Sequence, residues 1–462
     1  MQYIFDAVKW FVALGASAML PIVITIIGLI FGVKFGKAIR SGIILGVGFV
    51  GIGLIVTLMN DNLGPAAQAM SRRFGMSLQV VDIGWPGMSP LTWASSIAIA
   101  AIPVAILLNI VMLLLKLTHV VNVDIWNIWH FAFTGALVYL ATGNYMLGIL
   151  GVCIHGFIAF KFGDWFAPVV EDYFELEGIC IPHGDSAFMA PFAVPVEWAL
   201  DRIPGVKKIN ITADTIQKKF GVVGEPMIIG AVLGCLIGAL AGYDVKGALQ
   251  LGVQMAAVMV LMPKMVKCIM EGLMPISEVA KTKMEKRFHG AKFYIGLDPA
   301  ILLGDSQVVS ASLLFVPLTI LIAMIVPGNR ILPFGDLATI GFFIAIAVGI
   351  HKGNLFRTLI SGSIIMFITI WIANQVIPLT TALAKASNSS LLSKSPEIVA
   401  LDQGGCPITY ILTQVFHSTN VPGLIVIAAL YIFCIIFTYV QYRKKMSAKK
   451  AAAQQVEEVS EN

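Results

Sequence analysis

Residues 174–188, FELEGICIPHGDSAF, place Glu175, Glu177, His183 and Asp185 on backbone broken by Gly178, Pro182 and Gly184, inside a strongly apolar chain. A carboxylate accepts hydrogen bonds from two adjacent hydroxyls, and an imidazole donates or accepts. Glu177 and His183 therefore suit a hydroxyl-rich ligand. Gly and Pro free backbone N–H and C=O groups that lipid cannot satisfy, and such backbone is tolerated at membrane depth only where protein or water covers it. A charged side chain at that depth costs ~3 kcal/mol or more. The segment is expected to line a cavity enclosed by protein. The alternative is a surface loop carrying ordinary solvated charges, which is the preferred reading of Glu171, Asp172 and Glu175.

Two further stretches, VVDIGWPGMSPLTWASS (80–96) and FYIGLDPAILLGDSQVVSAS (293–312), are turn-rich and lead into apolar helices. Trp85 offers a flat face for the C–H side of a polyol and an indole N–H donor, or else belongs to an interfacial belt. Asp298 precedes Pro299, the signature of a helix N-cap, and a capping oxygen leaves the other free for a ligand. Asp305 lies in the same stretch. Asp124, Asn127 and His130 begin another apolar run; His130 suits a ligand contact or an interhelical hydrogen bond. Asp402 and Gln403 sit in VALDQGGCPITYILTQVF (399–416), a second broken segment; Asp336 and Asn354 are weaker candidates, as residues at helix ends. The six cysteines are scattered through apolar segments without C-x-x-C or zinc spacing, so no metal or cofactor is expected. No G-x-S-x-G, P-loop or H-E-x-x-H motif points to hydrolytic or nucleotide chemistry.

The elements that must position these residues follow from composition. The chain has 462 residues, 58% hydrophobic and 12% charged, against about a quarter charged in soluble domains. Several apolar runs reach about 20 residues, the length that spans ~30 Å of hydrocarbon. The net charge of +5 is carried by short loops and the tail YRKKMSAKK, the cytoplasmic mark of a membrane protein rather than a nucleic-acid signal. The polar end AAAQQVEEVSEN is expected to be disordered.

Weak collinear matches relate the two halves at offsets of 206 to 214, among them Gly28 with Gly234, Pro65 with Pro275, Ile83-Gly84 with Ile295-Gly296, Asp124 with Asp336, and Gly143-Asn144 with Gly353-Asn354. Basic loops pair with poorer ones: Lys34, Lys37 and Arg40 with Lys246, and the lysine-rich loop 264–292 with 60–75. The halves are thus expected to lie in opposite senses. Five spans fit each half, at 10–32, 41–59, 94–115, 125–143 and 145–160, then 222–242, 247–263, 306–327, 336–351 and 355–378. The expected fold is an all-α polytopic membrane protein of about eleven transmembrane helices. Its parts are inverted-repeat halves (1–160 and 221–380), re-entrant hairpins within 161–220 and 381–420, a last helix (421–442) and a tail (443–462), with the N-terminus outside and the C-terminus cytoplasmic. Inverted repeats with broken helices are a common carrier construction, with the substrate site near the midplane. From residues alone this is a carrier of a polar, uncharged solute. An ion-coupled secondary transporter of polyols and a membrane enzyme acting on a lipid-linked substrate are the competing classes.

GFVGIGLIVTLMNDNLGPAAQAM, VVDIGWPGMSPLTWAS, VVNVDIWNIWHFAFTGAL, FELEGICIPHG, IGLDPAILLG and PGNRILPFGDLATIGFF resemble the galactitol-specific IIC components of the bacterial phosphotransferase system, over nearly the whole chain. The resemblance implies a bacterial inner-membrane permease that binds galactitol or a related polyol outside and carries it inward. There a cysteine-phosphorylated IIB partner, supplied through IIA, HPr and enzyme I, converts it to galactitol 1-phosphate. The more distantly similar ascorbate carriers imply a homodimer with an elevator motion. Their G-x-x-I-x-H pattern falls on Gly178, Ile181 and His183, their second-half acid on Asp298 and a helix-start histidine on His130. Their glutamine pair is unmatched, Gly184 and Thr134 standing nearby instead. On this reading Glu177 or Asp298 takes or orients the hydroxyl proton during phosphoryl transfer.

Overall fold

The computed structural model describes residues 16–75, 80–212, 215, 225–287, 293–333, 335–387 and 396–461. The start of the first expected span and the basic residues Lys218, Lys219 and Lys292 lie outside them. The chain is mostly helical. Seven helices are long and apolar enough to cross a membrane. They are α2 (Phe35–Arg73), α4 (Ser96–Leu114), α6 (Tyr145–Phe174), α9 (Val245–Arg287), α10 (Ser306–Ile325), α12 (Leu355–Ala386) and α14 (Val421–Glu461). Between them stand α1 (Ala16–Ile30), α3 (Gly84–Trp93), α5 (Ile125–Thr142), α7 (Ala190–Leu200), α8 (Pro226–Ala241), α11 (Ile340–Ile350) and α13 (Pro407–Phe416).

The expected spans at 10–32, 125–143, 222–242 and 336–351 thus correspond to α1, α5, α8 and α11, which are shorter or less apolar than the seven. At 1.5 Å per residue the eleven residues of α11 cover only ~16 Å, about half the hydrocarbon thickness.

Three expectations need correction. The loops at 60–75 and 264–292 are helical in their described parts: α2 continues to Arg73 and α9 to Arg287. Charges at 264–287 recur among good helix formers, so they do not break the helix. The span at 145–160 likewise runs on to Phe174. The polar tail is not irregular, because α14 carries it to Glu461 through an Ala-, Gln- and Glu-rich sequence of high helix propensity.

Capping explains several helix starts. Ser95, Asp124, Asn144, Asp305 and Asn354 each accept a backbone N–H of the first turn of α4, α5, α6, α10 and α12. The helices α1, α2, α8 and α9 pack together through small residues. At Gly234 an added Cβ would lie 2.7 Å from the Leu251 carbonyl oxygen, so backbone meets backbone there.

Among the described residues, six very short strands interrupt the helices: β1 (Val80–Asp82), β2 (Val120–Asn122), β3 (Ile179–Cys180), β4 (Tyr294–Gly296), β5 (Ile331–Leu332) and β6 (Ile398–Val399). They form two parallel three-stranded sheets, β5-β1-β6 and β2-β4-β3. Val81 lies opposite both Leu332 and Ile398, and Gly296 opposite both Asn122 and Cys180. One sheet takes its middle strand from the first half of the chain and its outer strands from the second; the other sheet does the reverse. Pairing also satisfies backbone groups that lipid would leave bare.

A charged knot ties the end of α7 to the corner between α11 and α12. The Arg357 guanidinium donates to Glu197 Oε1 at 2.6 Å, to Asp201 Oδ1 at 2.7 Å and to the Lys207 carbonyl at 3.3 Å. His351 bridges Glu197 Oε2 at 2.5 Å and Ser361 Oγ at 2.7 Å through its two ring nitrogens. Asn354 donates to the Ile209 carbonyl at 2.7 Å, and Leu355 N–H to the Ile211 carbonyl at 2.7 Å.

Candidate functional site

Each of the six strands delivers polar residues to one buried region. Asp82 ends β1, with Trp85 three residues on; β2 leads to Asp124, β3 to His183, β4 to Asp298, β5 to Asp336 and β6 to Asp402. A strand of two or three residues fixes the backbone just upstream of a turn, so each side chain leaves from a pinned position. Asp82, Asp124, Asp185, Asp298, Asp336 and Asp402 are all 7% exposed or less.

These acids divide by what their oxygens touch. Asp82 accepts backbone N–H groups from Gly84, Asp336 and Leu401 at 3.0–3.2 Å. Asp336 accepts from Trp85 at 2.9 Å and Asp402 at 2.8 Å, and Asp124 from Trp126 at 2.8 Å and Asp298 at 3.2 Å. Charge-assisted bonds to backbone N–H groups compensate a buried carboxylate and hold broken backbone together. Asp82, Asp124 and Asp336 therefore act as staples.

Asp185, Asp298 and Asp402 face histidines instead. His183 Nδ1 bonds Asp185 Oδ1, and its Nε2 lies 3.3 Å from Asp298 Oδ2. Asp298 uses its other oxygen to cap the following turn, accepting the Ala300 N–H at 2.7 Å. Capping and site chemistry thus coexist in one side chain. The His130 ring packs edge-on against His183, with centroids 4.0 Å apart. His130 Nδ1 accepts the Gly184 N–H at 2.9 Å, and its Nε2 lies 3.4 Å from Asp402 Oδ1. Ligand atoms of His130, His183 and Asp185 lie within 4.8 Å of one another, a spacing that a cation could use. His130 Nδ1, His183 Nδ1 and Asp185 Oδ1 already hold protein partners, so part of the cluster is taken up as a hydrogen-bonded network.

Among the described residues, several polar atoms here have no hydrogen-bond partner: His130 Nε2, Asp402 Oδ1, Asp185 Oδ2, both amide atoms of Gln403, and the indole nitrogens of Trp85 and Trp129. Leaving a buried polar group unpaired costs about 1–3 kcal/mol, so this concentration of them makes the region the candidate site. Gln403 also stands at φ 55°, ψ −34°, a strained backbone for a non-glycine residue. Gly184 is required by close approach: a Cβ there would lie 2.7 Å from His130 Nδ1 and would overlap the Gln403 amide. Trp85 reaches the cluster through a run of rings, edge-to-face at 5.2 Å to Trp126 and 6.2 Å on to Trp129, then tilted at 4.6 Å on to His130.

Of the residues singled out in the sequence, the structure brings together His130, His183, Asp298, Asp402 and Gln403, with Trp85 beside them. Two stand elsewhere. Glu177 is exposed, because Leu176 and Ile179 turn inward on either side of the Glu177-Gly178 turn. Asp305 caps α10 and accepts from the Tyr173 hydroxyl at 3.2 Å. Sequence reasoning missed Asp185 and Trp129. Asp185 was visible as the second residue after His183 on a glycine turn; Trp129 carries no signal beyond its neighbour His130.

The chain matches the family described as PTS system sugar-specific permease component, EIIC-GAT, over residues 10–393. It is 56% identical over 450 residues to the PTS system galactitol-specific EIIC component of Escherichia coli strain K12, an alignment that covers 97% of this chain and 98% of that protein. The protein of the same name from Escherichia coli O157:H7 matches to the same extent. With seven helices long and apolar enough to cross a membrane among the described residues and a family match along most of its length, the chain belongs to the sugar-specific permease components of the phosphotransferase system, which are multi-pass membrane proteins.

Proposed function

We propose that this chain is a galactitol-specific IIC permease. It binds galactitol from outside and moves it inward, where a phosphorylated IIB partner converts it to galactitol 1-phosphate. Identity of 56% across 97% of the chain to galactitol-specific components carries the substrate assignment. The unpaired atoms of His130, Asp402, Gln403 and Trp85 supply the donors and acceptors that galactitol's hydroxyls need when stripped of water. In the transfer step a substrate hydroxyl oxygen attacks phosphorus, the S–P bond of the IIB phosphocysteine breaks, and the hydroxyl proton leaves to a carboxylate. Asp298, whose Oδ2 faces His183, is better placed for that proton than the exposed Glu177.

The inverted repeat is part of the same reading. The two sheets support it, since β4 begins 214 residues after β1, β5 211 after β2 and β6 219 after β3, with middle matching middle and outer matching outer. Contacts also respect the proposed sidedness. Lys445 with Asp172 and Arg357 with Asp201 join segments read as cytoplasmic; Arg330 with Glu397, and Arg73 with the Ala239 carbonyl, join segments read as external. The N-terminus is then outside and the C-terminus cytoplasmic. A homodimer with an elevator motion completes the proposal.

Uptake of radiolabelled galactitol by vesicles carrying the chain tests it. Label inside is expected as a phosphate ester, dependent on phosphoenolpyruvate, the soluble components and IIB. Free galactitol inside, lost on adding an uncoupler, would instead identify an ion-coupled transporter. A narrower test is Gly184→Ala. Because the new methyl would displace the Gln403 amide and crowd His130, galactitol affinity should fall at least tenfold, about 1.4 kcal/mol, and thermal stability should fall too, since overpacking a buried site costs about 1–3 kcal/mol. Unchanged affinity would remove Gln403 from the site.

A further inference from the structure

The charged knot at the end of α7 also shapes a surface. It neutralises Glu197 and Asp201 with Arg357 and His351, and the accompanying bonds to Lys207, Ile209 and Ile211 lay the segment 201–211 along the α11–α12 corner. What remains outward is basic. Arg202, Lys207, Lys208 and Lys352 are all exposed, and none of them pairs with an acid among the described residues. Arg202 is held in place, its guanidinium 3.9 Å over the Trp198 ring and bonded to the Trp198 carbonyl at 2.8 Å. Lys352 sits at φ 53° in the corner between two helices, which fixes where its side chain leaves the backbone. The knot thus pairs both acids, although the Asp201 side chain stays 54% exposed, and leaves four unpaired cations outward beside them. Through α7, ~16 Å long, that face connects directly to the His183–Ser186 turn.

We infer that this face is the landing surface for the phosphorylated IIB partner, with Arg202, Lys207, Lys208 and Lys352 meeting the negative charge at and around its phosphocysteine. The inference rests on the function proposed above. Charges at the rim of an interface set association rate and salt dependence more than the chemistry that follows. The partner need only be anionic where it touches, and a phosphorylated cysteine brings that charge itself.

The test measures phosphoryl transfer from purified phospho-IIB to galactitol, using the full chain in lipid nanodiscs. The combined variant Arg202→Glu, Lys207→Glu, Lys208→Glu, Lys352→Glu is expected to raise KM for phospho-IIB at least tenfold. Its kcat and its galactitol affinity should stay within about twofold of wild type. Wild-type KM should rise with salt between about 50 and about 300 mM, and the variant's should rise less. Lys34→Glu, Lys37→Glu, Arg40→Glu supplies a comparable charge change at the start of α2, another region read as cytoplasmic, and should leave KM unchanged. Should the four-fold variant fail to fold, judged by loss of its galactitol-induced thermal shift, the single variants Arg202→Glu and Lys352→Glu each carry the test with an expected threefold rise. An unchanged KM, or an equal rise in the control, overturns the surface. Absence of any transfer by wild type overturns the function itself.

Discussion

His183→Ala is expected to lower galactitol affinity at least a hundredfold, about 2.7 kcal/mol. The ring touches both Asp185 and Asp298, one at each nitrogen. Both partners are almost wholly buried. Removing it leaves two carboxylates facing each other's charge across a cavity, and breaking a buried pair from one side costs about 3–5 kcal/mol. Part of that cost appears as lost stability, and part as reorganisation of Asp298 away from the position the substrate needs. The double variant His183→Ala, Asp185→Asn should recover stability, because one uncompensated charge is gone, yet not affinity, because the Asp298 contact is still lost. Equilibrium binding and thermal unfolding on the same preparations separate the two effects. Affinity within twofold of wild type in folded His183→Ala would move the site elsewhere.

Arg357→Met should lower stability by about 3 kcal/mol, several degrees in thermal unfolding in detergent. One guanidinium nitrogen serves Glu197 and Asp201, and another serves the Lys207 carbonyl. The estimate sits at the low end for a buried pair because the Asp201 side chain is 54% exposed and water takes back part of the loss. Arg357→Lys should recover only part of it, since an ammonium cannot repeat the planar fork. Glu197→Gln in the Arg357→Met background should add little, and a fully additive double variant would show that the two side chains do not act together. Unchanged unfolding in Arg357→Met would make the knot a bystander.

Much of the architecture can be read from periodicity and composition, because lipid forces apolar runs to be long and uninterrupted. The same physics marks the broken segments: Gly178, Pro182 and Gly184 stand out where every neighbour is a helix former. His183, Asp298 and Asp402 could be singled out because each is an ionisable residue on such backbone. The staples Asp82, Asp124 and Asp336 could not be told from substrate ligands, since their distinguishing feature is which backbone N–H they accept, a property of tertiary contacts far apart in sequence. Glu177 fails for a local reason: one residue of alternation decides between cavity and solvent, and composition carries no such register. The long helical ends of α2 and α9 were hidden because charge was equated with a loop, although a helix leaving lipid becomes polar without ending.

The interleaving of the two sheets limits how the machine can run. Were the first half of the chain to slide past the second as a separate block, both sheets would tear, because every middle strand has its neighbours on the other block. Any body that moves in the proposed transport cycle would therefore be a composite of both halves, with its seam elsewhere. By the same logic a gene split near residue 215 would yield two pieces that each present a bare ribbon and finish their shared chamber only on meeting.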